Sequence, residues 1–206
     1  MRKCSIIVYI EKDAGRILSG IDRDSFIICA DGGTEYALTE GIIPDLVIGD
    51  FDSYRGVLPE DIPRIVLPEE KDDTDTHYCV KYAMEQGFSD ITVYGGLGGR
   101  FDHSVSNLQT LRYAAENGCT ISLISSGNTI YVINSCSIAL SRQPSYVSVF
   151  ALSDICQGVT IRGAAYDVEN AVFTGSFPIG TSNEFSDDTI EVSVKSGTLA
   201  VILSEE

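Results

Sequence analysis

Short unbroken apolar runs recur through the first 125 or so positions: Ser5 to Ile10, Phe26 to Ala30, Leu46 to Ile48, Ile65 to Leu67, Ile91 to Tyr94 and Ile121 to Ile124. Runs of this length, apolar without alternation, suit strands buried on both faces of a sheet. Between them lie stretches of helical period. Thr76 to Gln86 ends at Gly87, and His103 to Asn117 sets Val105, Leu108, Leu111 and Ala115 on one face before Gly118. Both glycines sit where a helix C-cap needs a left-handed residue. Strand and helix taken in turn predict a doubly wound parallel sheet.

After Ser126 the pattern changes. Tyr146 to Leu152, Val159 to Arg162, Ala171 to Phe173 and Ile190 to Lys195 are β-rich and separated by turn residues, with no helical period among them. Ile190, Val192 and Val194 alternate with polar neighbours, and Ser196-Gly197 then turns the chain into Leu199 to Leu203, which predicts a hairpin. The expected architecture is therefore α/β: a doubly wound parallel-sheet domain over 1–126, followed by a smaller antiparallel β-sandwich domain over 127–206.

Charge narrows the partners. The 206 residues carry 14 basic against 30 acidic side chains, a net charge of −16, with no basic patch or tail. That balance disfavours nucleic acid and anionic membrane and favours cationic or metal-bound ligands. Met1-Arg2-Lys3 before an apolar run imitates a signal peptide, but Glu11, Lys12 and Asp13 end the run too early. No stretch is long and apolar enough to span a bilayer. Six scattered cysteines without a C-x-x-C pair read as reduced core residues, and His77 and His103 are the only histidines, so a zinc site is not expected. A cytoplasmic protein fits these features.

Seven aspartates, Asp31, Asp50, Asp52, Asp72, Asp73, Asp75 and Asp102, stand just downstream of the apolar runs. If those runs are parallel strands, their carboxyl ends share the edge where open α/β sheets bind ligands. Two carboxylates about 4.5 Å apart repel by roughly 3–4 kcal/mol at an effective dielectric near 20, so such a cluster calls for protons or a divalent cation. In Gly49-Asp50-Phe51-Asp52-Ser53 the D-x-D spacing points both acids one way along an extended segment, as one hard metal such as Mg²⁺ requires; a solvated acidic turn explains the same residues. Asp72-Asp73-Thr74-Asp75 leads into a helix. One residue there, Asp73 or Thr74, serves as N-cap, and three acids in four positions exceed that need, leaving another to face a metal.

The run Gly95-Gly96-Leu97-Gly98-Gly99-Arg100-Phe101-Asp102-His103 follows a strand and opens a helix. Its glycines would let backbone N–H groups approach a phosphate, aided by the helix N-terminus and Arg100, although it is neither a Walker A loop nor a G-x-G-x-x-G fingerprint and a flexible turn remains the alternative. Asp102 suits a substrate hydrogen bond or an N-cap equally, and His103 suits capping or packing more than acid–base work. Ala30-Asp31-Gly32-Gly33-Thr34 is a further strand-to-helix turn, and Gly180 to Phe185 a small polar loop that a simple turn would explain.

Together, Ala30 to Gly33, Gly49 to Ser53, Lys71 to Asp75, Gly95 to His103 with Asn107, and Ser182-Asn183-Glu184-Phe185 resemble, in order and spacing, the thiamine pyrophosphokinase family. The resemblance implies transfer of the diphosphate of ATP to the hydroxyl of thiamine, giving thiamine diphosphate and AMP. It implies Mg²⁺ on Asp50, Asp52 and Asp75. ATP would be held by Thr74, Gly95, Gly98, Gly99, Arg100, His103 and Asn107, and thiamine by Ser182 and Asn183. Asp31, Asp72 or Asp102 would orient or deprotonate the attacking hydroxyl. It also implies a homodimer whose thiamine site lies between the α/β domain of one subunit and the β domain of the other. The family's aromatic partner for thiamine has no Trp to fill it here, which leaves Tyr or Phe. Competing readings are a diphosphokinase for a hydroxymethyl pterin, a metal-dependent glycosyltransferase that would leave the glycine loop unused, and a non-catalytic nucleotide-binding regulator that would leave the acids unexplained.

Overall fold

The computed structural model describes residues 1–50, 59–68 and 72–205. The chain divides into two compact units, Met1–Ala114 with Leu123–Ser126, and Ala115–Ser122 with Gly127–Glu206.

The first unit is built on β1 (Lys3–Ile7), β2 (Phe26–Ala30), β3 (Leu46–Gly49), β4 (Arg64–Val66), β5 (Asp90–Tyr94) and the end of β6 (Thr120–Ser125), in the order β6-β5-β1-β2-β3-β4. β1 pairs in parallel with both β2 and β5, β2 with β3, and β3 with β4. The chain thus winds outward from β1 in one direction to β4 and restarts on the other side of β1 at β5. The reversal makes a switch point between β1 and β5, whose crevice lies beyond the strands' carboxyl ends. Every residue of β3, and all but the first of β1 and β2, is buried or nearly so, as the unbroken apolar runs require.

Among the described residues, four helices lie in the connections: α1 (Ala14–Leu18), α2 (Gly33–Thr39), α3 (Asp75–Glu85) and α4 (Phe101–Glu116). The Thr74 hydroxyl caps α3 by accepting from the His77 N–H at 3.2 Å, and the helix closes at Gly87, whose φ of 80° lets the Phe88 N–H return to the Ala83 carbonyl at 3.0 Å. The face expected to be buried on α4 holds in part, since Leu111 and Ala115 are buried. Val105 is exposed, whereas Asn107, Thr110, Leu111 and Ala114 are buried at i, i+3, i+4 and i+7. Two of the four are polar because each has a partner on another element: Asn107 on the glycine loop, Thr110 on His77 of α3 at 3.1 Å. β1 also ends at Ile7 rather than Ile10, which leaves Val8 to Ile10 in the loop at the switch point.

The second unit holds two antiparallel sheets. One runs β12 (Gly180–Asn183), β9 (Tyr146–Ala151), β14 (Thr198–Ser204), β7 (Asn128–Asn134); the other runs β11 (Val168–Thr174), β10 (Ile155–Arg162), β13 (Thr189–Ser193), β8 (Ser137–Ser141). Val147, Val149, Leu199 and Val201 of the first and Val159, Ile161, Ile190 and Val192 of the second share one apolar cluster, so the sheets form a sandwich. The hairpin expected at Ser196-Gly197 is not formed. β13 pairs with β8 and β10, β14 with β7 and β9, and the turn carries the chain from one sheet to the other. β14 is buried on nearly every residue, which a strand between two neighbours and under a second sheet requires and which simple alternation does not convey.

Candidate functional site

The carboxyl ends of the parallel strands open into a cleft of about 680 Å³. Val8 and Tyr9 follow β1, Asp31 and Gly32 follow β2, and Asp50 follows β3, while the start of α3 contributes Thr74 to Thr76 and the β5–α4 turn Gly96, Gly98, Gly99 and Arg100. The switch point has therefore gathered segments from across 100 residues of chain onto one edge.

Asp31, Asp50 and Asp75 bring one carboxylate oxygen each within 4.8 Å of one another, and all three are partly buried. Asp31 reaches the cluster because the chain turns sharply after β2. Its φ is 39°, a left-handed value that aspartate tolerates, and its N–H donates to the Ile48 carbonyl at 2.9 Å. The adjacent Gly49 allows this close approach, since a Cβ there would stand 2.9 Å from the Asp31 Cβ. Asp75 arrives on the first turn of α3. The spacing and all-oxygen chemistry of this donor set suit a hard divalent cation such as Mg²⁺. Asp50 and Asp75 were expected as metal ligands, and Asp31 as a group acting on the hydroxyl. Asp52 lies outside the described residues.

The other acids have different surroundings. Asp72 is exposed and does not line the cleft. Asp73 pairs with Lys81 at 2.7 Å, and the Lys81 hydrogen bond holds its carboxyl below the usual carboxylate range. Asp102 lies in the first turn of α4 and accepts from Arg100, Nε to Oδ1 at 3.2 Å and Nη2 to Oδ2 at 2.5 Å; that two-point bond lowers its pKa. Asp102 thus aims the guanidinium. His103 is exposed on the cleft wall.

The glycine loop is tightly seated. Gly95, Gly96, Gly98 and Gly99 all have positive φ. The Asn107 amide, buried beneath, donates to the Gly96 carbonyl at 2.7 Å. A Cβ on Gly98 would collide with the Glu11 carboxylate. Gly95 is not on the cleft wall; its N–H donates to the Ile124 carbonyl at 2.8 Å. The wall residues that sequence reasoning missed are chiefly Tyr9 and Ser106. Tyr9 was absorbed into an over-long strand, although the polar Glu11, Lys12 and Asp13 directly after it marked the loop.

Ser182 and Asn183 belong to the second unit. Ser182, exposed at the end of β12, has a φ of 57° and its N–H donates to the Ser148 hydroxyl at 3.0 Å. Asn183 is buried, and its side chain both accepts from the Tyr166 N–H at 3.0 Å and donates to the Tyr166 carbonyl at 2.8 Å. That clasp fixes the Tyr166 backbone, and the residue stays 75% exposed.

Residues 19–123 match the family described as thiamin pyrophosphokinase, catalytic domain, and residues 135–199 match thiamin pyrophosphokinase, vitamin B1 binding domain. The chain is similar to the thiamine pyrophosphokinase of Bacillus subtilis (strain 168), 30% identical over 192 residues and covering 90% of each chain. It is 26% identical over 172 residues to thiamin pyrophosphokinase 1 of Caenorhabditis elegans, covering 79% of this chain and 70% of that one. Among solved structures, the crystal structure of thiamine pyrophosphokinase from Bacillus subtilis superimposes over all of both chains with a TM-score of 0.87 at 25% identity.

Proposed function

This chain belongs to the thiamine pyrophosphokinase family, enzymes that transfer the diphosphate of ATP to the hydroxyl of thiamine with release of AMP, and we propose that the aspartate-lined cleft of its first unit is the place of that transfer. The observation that carries the reading is the convergence of Asp31, Asp50 and Asp75 on one wall with the glycine loop on another. Three carboxylates alone would repel a polyphosphate. A Mg²⁺ ion held by Asp31, Asp50 and Asp75, with Asp52 as a further ligand, would neutralise charge on the transferring phosphates.

In the reaction the thiamine hydroxyl oxygen bonds to the β-phosphorus, the bond from that phosphorus to the α–β bridging oxygen breaks, and the oxygen leaves with AMP. Such transfers depend on positioning and on charge stabilisation. The backbone N–H groups of Gly98 and Gly99 and the guanidinium of Arg100 would hold phosphate oxygens, with Asp102 bonded to the guanidinium and Asn107 to the loop. Thr74 contributes by presenting Asp75 on a capped helix. Of the three acids considered for the hydroxyl, Asp31 is the one inside the cleft, and it would accept the hydroxyl's hydrogen bond.

Thiamine's fixed positive charge suits a chain of net charge −16. On the second unit, Ser182 offers an exposed hydroxyl and Tyr166 an exposed side chain on a backbone that Asn183 clasps, and we assign these to the vitamin, Asn183 acting through the Tyr166 backbone. A homodimer that shares the site between subunits fits the uncovered apolar side chains Phe177 and Ile179 beside β12. No described helix is long and apolar enough to cross a membrane, and the six cysteines are thiols rather than disulfides, in keeping with a reducing cytoplasm. The pterin alternative has no support among the relatives, and the match of residues 135–199 to a vitamin B1 binding domain favours thiamine. AMP release from Mg-ATP in the presence of thiamine, a hydroxymethyl pterin or neither is the test. Release with thiamine alone is expected, and equal release in all three arms would overturn the reading.

A further inference from the structure

The glycine loop is built around one exposed ring that the chemistry above leaves without a role. Tyr9 follows β1 at the switch point, is 54% exposed and lies on the cleft wall. Its backbone is clamped: the Gly96 N–H donates to the Tyr9 carbonyl at 2.8 Å, and a Cβ on Gly95 would come within 2.5 Å of the same oxygen. Its ring is braced, because a Cβ on Gly99 would stand 3.3 Å from Tyr9 Cε1, and the Tyr36 ring meets it edge-on with centroids 6.3 Å apart and planes at 75°. Three of the four glycines are thus shaped around Tyr9 or touch it. An aromatic ring stabilises a fold by leaving water. One that is fixed on two sides yet left half in water presents a face to a ligand.

The rest of the described lining is carboxylates, glycines, small side chains such as Val8 and Ala30, and the cationic or imidazole groups of Arg100 and His103, so Tyr9 offers its largest aromatic face. The ring abuts the loop proposed to hold phosphates, and ATP is the substrate that carries a flat ring and phosphates in one molecule. We infer that Tyr9 is the platform on which the purine of ATP stacks, with the phosphates continuing along Gly98 and Gly99. Base–aromatic stacking is tolerant of base identity, so Tyr9 would select a nucleotide over bare polyphosphate rather than adenine over guanine. The assignment rests on the cleft being the ATP site.

The chain has no tryptophan, so Tyr9→Trp introduces a single indole at the proposed platform. Its emission is titrated separately with Mg-ATP, Mg-tripolyphosphate and thiamine. Saturable quenching by Mg-ATP alone is expected. In steady state, Tyr9→Leu should raise the KM for ATP roughly tenfold or more, a loss in the range of one base–aromatic stack, while the KM for thiamine stays in place. Tyr9→Phe, which keeps the face, should show a much smaller rise. Quenching by thiamine but not Mg-ATP, equal quenching by tripolyphosphate, or an unchanged ATP KM in Tyr9→Leu would each overturn the inference. AMP release by the unaltered enzyme is measured alongside. Its absence would instead bring down the site reading beneath.

Discussion

Replacing Asp31 by Asn should make the metal-free protein more stable and the Mg²⁺-loaded protein less so, relative to the unaltered chain. The three clustered carboxylate oxygens lie within 4.8 Å of one another. At that separation each pair of unit charges repels by about 3.5 kcal/mol at an effective dielectric of 20 and by about 0.9 kcal/mol at 80. The side chains are partly buried, which places each pair between those limits. Neutralising Asp31 deletes two of the three pairs, about 2–7 kcal/mol. The upper end is capped near 4 kcal/mol, the cost of protonating an ordinary carboxylate at pH 7. The conformational side of the substitution is neutral, since Asn tolerates the φ of 39° at this position as Asp does.

A gain of about 2–4 kcal/mol corresponds to a rise of roughly 4–16 °C in the melting of a chain this size. Saturating Mg²⁺ should act in the opposite direction. At a hundred times its dissociation constant a ligand stabilises the native state by about 2.7 kcal/mol, and the variant, short of one ligand, should lose most of that increment. Differential scanning fluorimetry in EDTA and across a Mg²⁺ series reads both effects. An unchanged or lowered melting temperature for Asp31→Asn in EDTA, or an equal Mg²⁺ increment in both proteins, would refute the shared-cation argument.

Gly98→Ala should raise the KM for ATP at least tenfold and lower the melting temperature, because φ is 92° and the new methyl meets the Glu11 carboxylate; Gly118→Ala, strained at φ 83° but with open space around it, should lower stability by about 1–3 kcal/mol and leave the KM alone, as parallel kinetics and melts will check. Thiol titration with an aromatic disulfide should find Cys136 fast, Cys119 slower, and Cys4, Cys29, Cys79 and Cys156 silent until the chain unfolds, since burial pushes the Cys4 thiol up to about 12 and Cys29 higher still; a native count of four or more fast thiols would contradict the packing. If the vitamin site is shared between subunits, Ser182→Ala and Asp50→Asn proteins, each nearly inactive, should regain activity when mixed and allowed to exchange; a mixture that exchanges by mass measurement and stays inactive would confine the site to one subunit.

The fold was legible where burial alone decides structure. β1, β2 and β3 are covered on both faces, so their apolar runs could be read directly. It was illegible where pairing decides it. β12 is Gly-Thr-Ser-Asn, which no hydrophobic pattern marks, and it exists because β9 offers an edge. Alternation in β13 revealed its period but not its sheet, so a turn between sheets passed for a hairpin. On α4, apolar counting chose Val105 for the buried face. The true face carries Asn107 and Thr110, whose partners stand 11 and 33 residues away in the chain.

In the site, the acids could be found because the ends of parallel strands must meet along one edge, but their division of labour depends on distances the sequence does not encode. Asp31 joins Asp50 through a left-handed turn and the missing side chain of Gly49, eighteen residues downstream. The glycine loop shows the same limit from the other side. As a sequence it reads as freedom, four glycines that let a phosphate come close. In the fold a side chain would strike the Tyr9 carbonyl at Gly95 and the Asn107 amide at Gly96, whereas at the exposed Gly98 and Gly99 it would meet the Glu11 carboxylate and, at 3.3 Å, the Tyr9 ring. Glycine is needed at Gly95 and Gly96 because the surroundings are full and at Gly98 and Gly99 because φ is 92° and 59°, so the loop is held in its shape before any ligand arrives. Donors held in place beforehand lose little freedom when they bind, which is what positioning a diphosphate for in-line attack demands.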